Sequence, residues 1–462
     1  MLTRLEVDGF KNLLNFAADF GPYTCIAGVN AVGKSNIFDA IQLMSLLADH
    51  SFMEAAQHLR ESSARAMDPM TLFWRESTGF ANIRLAAEMI VPAQVEDDFG
   101  RSVKPTTSFL RYELELRYRT PEPTRLAQLG TIELVREELR HIKQGDASSH
   151  LPWPHKRQFR ETAVTGRRSG IAYISTTGLP GEGVVNVHQD GGSRGQTRKS
   201  PANRAPRTVV STTTSSDDPT VLAARREMQQ WRVLALEPSA MRTPDSVVGS
   251  NLIDSNGAHL AAALFRLSLQ YGEDIFAAVA SEAAALTNVK EVSVDFDQQR
   301  EMLTLQAELG NGPILPARSL SDGTLRFIAL CIIRLDDRFG GLLCMEEPEN
   351  GIHPARMKAM VELVRGLAVD PHETVGEDNP LRQVIVNTHS PHFVQFQDLG
   401  DLLLALPVGI LRDGRTVTSV RLYPLARSWR SARGSDSVSR EAVVDYLTNP
   451  PGAQLRLDME IA

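Results

Sequence analysis

Residues 23–36 read YTCIAGVNAVGKSN. The run Tyr23–Ala27 is apolar enough for a buried strand, and helical patterning extends from Ser35 to Ala48. Between them Gly28, Gly33, Lys34 and Ser35 satisfy the spacing G-x-x-x-x-G-K-[ST]. Such a loop curls so that successive backbone N–H groups face one phosphate. The helix that follows adds the positive end of its dipole. Lys34 is long enough to reach β- and γ-phosphate oxygens, and Ser35 offers a hydroxyl to Mg²⁺. Asn30 and Asn36 belong to the same segment and complete the candidate nucleotide-binding set. The bare spacing is only moderately specific; the strand before it and the helix after it make it strong. Lys34 also stands out by scarcity, because the chain has 8 Lys against 41 Arg. One position is awkward. A positive φ at Ala31 would weaken the loop, because glycine alone adopts it without strain.

Two further strand ends carry polar groups. Residues 342–354 read LLCMEEPENGIHP, a buried strand that ends in Glu346 and Glu347. A strand end beside a phosphate loop is where an α/β nucleotide site places its metal-side carboxylate. Glu346 is the candidate Mg²⁺ ligand, through water. Glu347 is the candidate that orients or polarises the attacking water. Taken alone, two glutamates after an apolar run more often begin a solvated helix. Residues 383–390, QVIVNTHS, again end a buried strand in polar residues. His389 there has the chemistry to donate to a γ-phosphate or to hold the water, although a lone histidine is more often structural. Residues 319–324, SLSDGT, precede an apolar helix. Ser321 would cap that helix. Its exposed start, with Ser321 and Gly323, offers a second anion site.

The 462 residues correspond to roughly three domains at ~150 residues each. That is enough chain to bury a core without disulfides or metals. A hydrophobic fraction of 42% with 23% charged residues is ordinary for a globular protein. No apolar run reaches the ~18 residues of a membrane span. The opening MLTRLEVDGF alternates like a strand and lacks the apolar stretch of a secretory leader. Cys25, Cys331 and Cys344 sit in apolar runs without CxxC spacing, which predicts buried thiols in a reducing cytosol. Period-2 patterning predicts strands at Leu2–Val7, Leu14–Phe20, Ala81–Ile90, Ser108–Arg119 and Thr131–Ile142. Helices are expected at Val221–Trp231, Ala258–Gln270, Asp274–Ala285 and Gly323–Asp337. Strands are expected at Val289–Val294, Met302–Ala307, Gly341–Met345 and Gln383–Asn387. The expected organisation has an N-terminal lobe with the phosphate loop and antiparallel strands at 1–145. A loop-rich basic insertion follows at 146–220 and a helical region at 221–300. A C-terminal lobe spans 301–400, and 401–462 is a tail. Strand–loop–helix units at both ends imply an α/β sheet assembled from distant parts of the chain.

In this order, GVNAVGKS, SLSDGT, LLCMEEPENGIHP and NTHSPH resemble the ABC-type ATPase head of the SMC/RecF superfamily. More narrowly they resemble its compact RecF-like and OLD-like bacterial members of the AAA family. The opening LEVDGFKNL and the segment LEPSAMRTP at 236–244 are similar to the same group. The resemblance covers about residues 1–50 and 235–395. It implies an ABC-type P-loop NTPase head made from N- and C-terminal lobes, with an inserted β-rich, loop-rich and helical middle. It also implies ATP and Mg²⁺ as cofactors, LSDGT as the signature motif, Glu347 as the catalytic glutamate and His389 as the switch histidine. Glu346 stands where most relatives have Asp, and Asp322 and Thr324 depart from the usual LSGGQ. In this family two heads sandwich two ATP molecules, the phosphate loop of one facing the signature of the other. One loop and one signature per chain therefore imply a homodimer, or a larger assembly of such pairs.

The insertion between the lobes carries no heptads, which excludes a long coiled-coil arm. The stretch after His389 lacks the Glu…Asp-x-Asp cluster of an added Toprim nuclease, and the transporter signature LSGGQ is absent. A net charge of −7 excludes a uniformly basic nucleic-acid coat. Two stretches are nevertheless basic. Residues 151–210 hold 10 Lys+Arg against 3 Asp+Glu, and residues 411–440 hold 7 Arg against 2 Asp. Such runs are usually solvated, but a DNA surface that tracks the phosphate backbone is built from them. The expected function is a cytoplasmic, ATP-hydrolysing ATPase that dimerises around ATP, away from membranes. It would act on or near DNA in genome maintenance or defence. The alternative is a regulatory sensor ATPase of an anti-phage system that controls a separate effector, a nuclease or toxin.

Overall fold

The computed structural model describes residues 1–59, 68–76, 79–120, 130–166, 170–179, 182–190, 197–284, 286–433 and 436–449. The central sheet has the strand order Arg232–Leu234, Gly341–Glu346, Arg382–Thr388, Tyr23–Ala27, Leu402–Arg412, Arg415–Pro424. Its first five strands are parallel, and the last two form an antiparallel hairpin. The inner strands read as near-continuous apolar runs because both faces are covered. Their side chains alternate between those faces. Ile26, Leu342, Cys344, Ile385 and Ala405 join one core with the helix Lys34–Leu47 and an outer sheet. Cys25, Ala27, Leu343, Met345, Val384 and Val386 join a second core with the helices Leu260–Tyr271, Asp322–Leu335 and Met357–Arg365.

The outer sheet is antiparallel. Its order is Arg198–Pro201, Val184–Val187, Ile174–Thr177, Thr131–His141, Phe109–Arg119, Ile83–Ile90, Leu2–Asp8, Phe16–Asp19. Three of these strands come from the basic insertion, which thereby extends the N-terminal sheet. Buried Glu137 pins the insertion in place. It accepts from the backbone N–H of Val209 at 2.7 Å and Val210 at 2.8 Å, and from the Tyr112 hydroxyl at 3.1 Å. Burial nevertheless pushes its carboxyl up to about 7. A third, smaller sheet pairs Asp245–Ser246, Met302–Leu309 and Val289–Asp297, with Ile314–Pro316 on Met302–Leu309.

The expected phosphate-loop helix Ser35–Ala48 is Lys34–Leu47, and the expected strand Gly341–Met345 is Gly341–Glu346. The expected helix over 274–285 is described as Asp274–Ala284, and Ala285 lies outside the described residues. Within the loop-rich insertion, Val210–Thr212 form a short 3₁₀ turn where the Glu137 carboxylate takes the backbone donors of Val209 and Val210. The stretch read as a tail supplies two strands of the central sheet, Leu402–Arg412 and Arg415–Pro424. Asp413 and Gly414, at φ 52° and 70°, make the tight turn between them. Buried Ser419 then locks the hairpin to the N-terminal lobe. Its Oγ donates to the Leu14 carbonyl at 2.9 Å and accepts from the Leu14 N–H at 3.1 Å. Residues 450–462 of that stretch lie outside the described residues, as do 167–169, 180–181, 191–196 and 434–435 of the two basic segments. Cys25, Cys331 and Cys344 are free and buried. Among the described residues, no helix is long and apolar enough to cross a membrane.

Candidate nucleotide site

The parallel strands Tyr23–Ala27, Gly341–Glu346 and Arg382–Thr388 all deliver their carboxyl ends to one edge of the central sheet. In open α/β sheets that edge is where ligands bind. The phosphate loop leaves the first of them. The Gly28 N–H donates to the Thr388 carbonyl at 3.1 Å. A Cβ on Gly28 would lie 3.0 Å from the Ala405 carbonyl oxygen, so any larger residue would require the Leu402–Arg412 strand to give by a few tenths of an ångström. Gly33 has φ 108°, and a Cβ there would meet the Asn12 amide at 2.6 Å. Asn12 in turn accepts from Asn36 Nδ2 at 2.7 Å. Ala31 does adopt a positive φ, 65°, the strained option for alanine. Buried Lys34 curls back, its Nζ donating to the carbonyls of Gly28 at 2.6 Å and Val29 at 2.9 Å. Burial lowers its pKa, and Glu347, Glu349 and Glu346 counter that.

Glu346 ends its strand, and Glu347 leaves it at φ 44°, a rare value for a non-glycine residue and a kind of strain that clusters at functional sites. Asn387 supports this turn by accepting the Glu347 N–H with its backbone and side-chain oxygens, each at 3.1 Å. The Glu347 carboxylate is held at both oxygens. His389 Nδ1 lies 2.6 Å from Oε1, and Asn350 Nδ2 donates to Oε2 at 2.8 Å. Glu349 lies behind them, buried, with Oε1 hydrogen-bonded by the Thr388 hydroxyl and Oε2 without a partner. Burial, reinforced by the charge of Glu347, pushes its carboxyl up to about 7.

Of the residues singled out in the sequence, Asn30, Gly33, Lys34, Ser35, Asn36, Glu346 and Glu347 line one cleft of about 450 Å³. His389 reaches it through Glu347, and Gly28 shapes the loop from behind. Ser321 and Gly323 do not line it. Ser321 caps its helix, accepting the Thr324 N–H at 3.2 Å. Arg242, from LEPSAMRTP, steadies that turn through the Leu320 carbonyl at 3.0 Å and the Asp322 carboxylate at 2.5 Å. Asn12, Glu237, Arg326, Asn350 and Asn387 also line the cleft, and sequence reasoning did not select them. Asn12, Glu237, Asn350 and Asn387 sit inside segments already noted for their resemblance. Arg326, inside an apolar helix, gave no such signal.

The donor set fits a magnesium nucleotide. Lys34 and Arg326 face the carboxylates of Glu237, Glu346 and Glu347, so the cleft carries one excess negative charge. A polyphosphate entering it needs a cation alongside. The Ser35 hydroxyl and the Glu346 carboxylate offer the hard oxygen donors that would suit Mg²⁺, Glu346 through water.

Residues 199–395 match the family model described as "AAA domain, putative AbiEii toxin, Type IV TA system". No curated protein matches the chain. Among solved structures the chain is similar to an SmcHead bound to the C-winged helix domain of ScpA. The identity is 13% over 91% of this chain and 97% of that one, with a TM-score of 0.44. It is similar to an Smc head domain with an extended coiled coil bound to the C-terminal domain of ScpA, from Pyrococcus furiosus. Here the identity is 12% over 94% and 98%, with a TM-score of 0.41. It is also similar to the SMC head domain from Thermotoga maritima, at 12% identity over 92% and 98%, with a TM-score of 0.38. The phosphate loop, the acidic strand end and the histidine strand end meet at one edge of a parallel sheet, the arrangement of a P-loop NTPase fold, and residues 199–395 carry the match to an AAA domain.

Proposed function

We propose that the protein binds and hydrolyses ATP with Mg²⁺ and closes as a homodimer around two nucleotides. The observation that carries hydrolysis is the Glu347 carboxylate, fixed by His389 and Asn350 in the wall of the cleft that also holds Lys34. An oriented carboxylate beside a phosphate-binding loop is equipped to align a water and take its proton. Ser35 and Glu346 would hold Mg²⁺, which neutralises charge on the transferred phosphoryl group. Lys34 would leave the Gly28 and Val29 carbonyls for the β- and γ-phosphates. The sandwich is supported by the signature turn. Ser321 and Asp322 are exposed and lie outside their own chain's cleft, free to meet a second copy.

Lys34→Ala should abolish ATP binding measured by calorimetry. Glu347→Gln should bind ATP and accumulate as a dimer on size-exclusion chromatography, with turnover lost. Wild-type turnover in Glu347→Gln would refute the assignment of the water-orienting residue. Mixing Lys34→Ala with Ser321→Arg chains should restore part of the turnover, because one of the two mixed sites keeps both intact halves. No restoration would count against the sandwich.

The finer reading, action on DNA or control of a separate effector, is weighed by the basic segments. Arg412 pairs with Asp8 and Glu76, and Arg430 is buried on Asp19, Thr24 and Gly400. Arg440 donates to the Gln395 and Gln397 carbonyls, and Arg198 pairs with Asp218. These four arginines are engaged within the chain, which lends support to a protein-directed cytoplasmic switch over a DNA-tracking machine. The family description, with its toxin and type IV TA system, points the same way. Duplex binding that weakens steeply with salt and raises ATP turnover would reverse that preference.

A further inference from the structure

The signature helix Asp322–Leu335 holds a cation that the ATPase reading has not used. Arg326 lies one turn in from Asp322 and is 9% exposed. It lines the same cleft as Lys34, Ser35, Glu346 and Glu347. Its Nη1 makes one long hydrogen bond, 3.4 Å, to the Glu347 carbonyl. Its Nε is buried with no hydrogen-bond partner. Leaving a buried, charged donor unsatisfied is costly, and native structures seldom do so without a reason. The residues around it supply no acceptor for Nε, and the guanidinium belongs to a residue that lines the cleft an anion would enter. Glu347 belongs beside the phosphate under attack, and Arg326 touches the Glu347 main chain. The guanidinium is therefore at the end of the cleft where a terminal phosphate would sit. A planar fork suits phosphate oxygens better than any other cationic side chain.

We propose that Arg326 is a nucleotide-contacting residue of its own chain's site, donating to the terminal phosphate of ATP and reaching no oxygen of ADP. The proposal rests on the ATP reading above. It has a consequence for the helix. The turn that begins it packs tightly on the loop after Glu347, where a Cβ on Gly323 would lie 3.3 Å from the Gly351 carbonyl. ATP held by Arg326 would thus fix the signature turn in the same chain, and loss of the terminal phosphate would release it.

The test is calorimetric titration with Mg²⁺ and either a non-hydrolysable ATP analogue or ADP. Wild type, Arg326→Met and Arg326→Lys are compared. Arg326→Met should weaken the triphosphate by about tenfold or more, the scale of a lost charge-assisted hydrogen bond, and leave ADP within about threefold. Arg326→Lys keeps the charge without the fork and should fall between. Equal losses for both nucleotides, or no loss, would overturn the proposal. Thermal melts without nucleotide show whether Arg326→Met folds; if it does not, Arg326→Lys decides. A triphosphate-selective loss in Arg326→Lys sustains the proposal, and unchanged affinity sinks it. A wild type that binds neither nucleotide overturns the ATP reading and this proposal together. A wild type that binds both, with variants that bind equally well, overturns the proposal alone.

Discussion

The water-orienting role proposed for Glu347 needs a place beside the phosphate and a fixed rotamer. The apolar strand before it supplies the place for Glu347, which is why the motif was legible as EEPE after LLCM. The rotamer comes from His389 and Asn350, one 42 residues away just past the end of the neighbouring strand and one three residues on. Removing either holder should therefore act on turnover more than on binding. For His389→Ala and Asn350→Ala we expect kcat to fall by up to about 100-fold while KM moves little. Steady-state kinetics separates the two, and a rise in KM with unchanged kcat would show that they contact nucleotide instead. The strained φ of Glu347 was invisible beforehand, because a positive φ at glutamate follows from the turn it must make and not from the residue itself.

At the scale of elements, the strand Leu402–Arg412 alters the picture most. Its apolar start and the Asp413–Gly414 pair are hairpin signals that the reading of 401–462 as a tail did not use. Packing explains the strand. It pairs in parallel with Tyr23–Ala27, seats Ala405 against Gly28, and brings Ser419 to Leu14. The phosphate loop thus has a flank from the opposite end of the chain. A chain ending at residue 400 would leave the Tyr23–Ala27 edge unpaired and the core face around Ile26 uncovered. We expect it to lose cooperative thermal unfolding by circular dichroism. A soluble 1–400 chain with a sharp transition would mean the hairpin is an accessory.

Across the whole molecule, two cores pack on the two faces of one central sheet, and carboxyls shifted by burial sit in both halves. Buried Glu137 and Glu349 are each pushed up to about 7, and half-buried Asp401, beside Arg365, to about 6. Their ordinary values are 4.5, 4.5 and 3.8. Between those values and the raised ones the folded chain binds more protons than the unfolded chain. Through these three groups stability therefore falls as pH rises through that window. Melts at pH 5.5 and pH 8 should show the lower midpoint at pH 8. Glu137→Gln should reduce the difference, whatever its own cost at the Val209 and Val210 donors. An unchanged difference would mean that Glu137 is already ionised in the fold. The order of residues along the chain was enough for the phosphate loop, the acidic strand end, the histidine strand end and the signature cap. Each is a local pattern whose backbone geometry is dictated within a few residues. Packing alone settled which of them share a cleft, that Arg326 faces it, and that the last strands complete the sheet. Those are contacts between residues tens to hundreds of positions apart, and they depend on strand order, which no local pattern encodes.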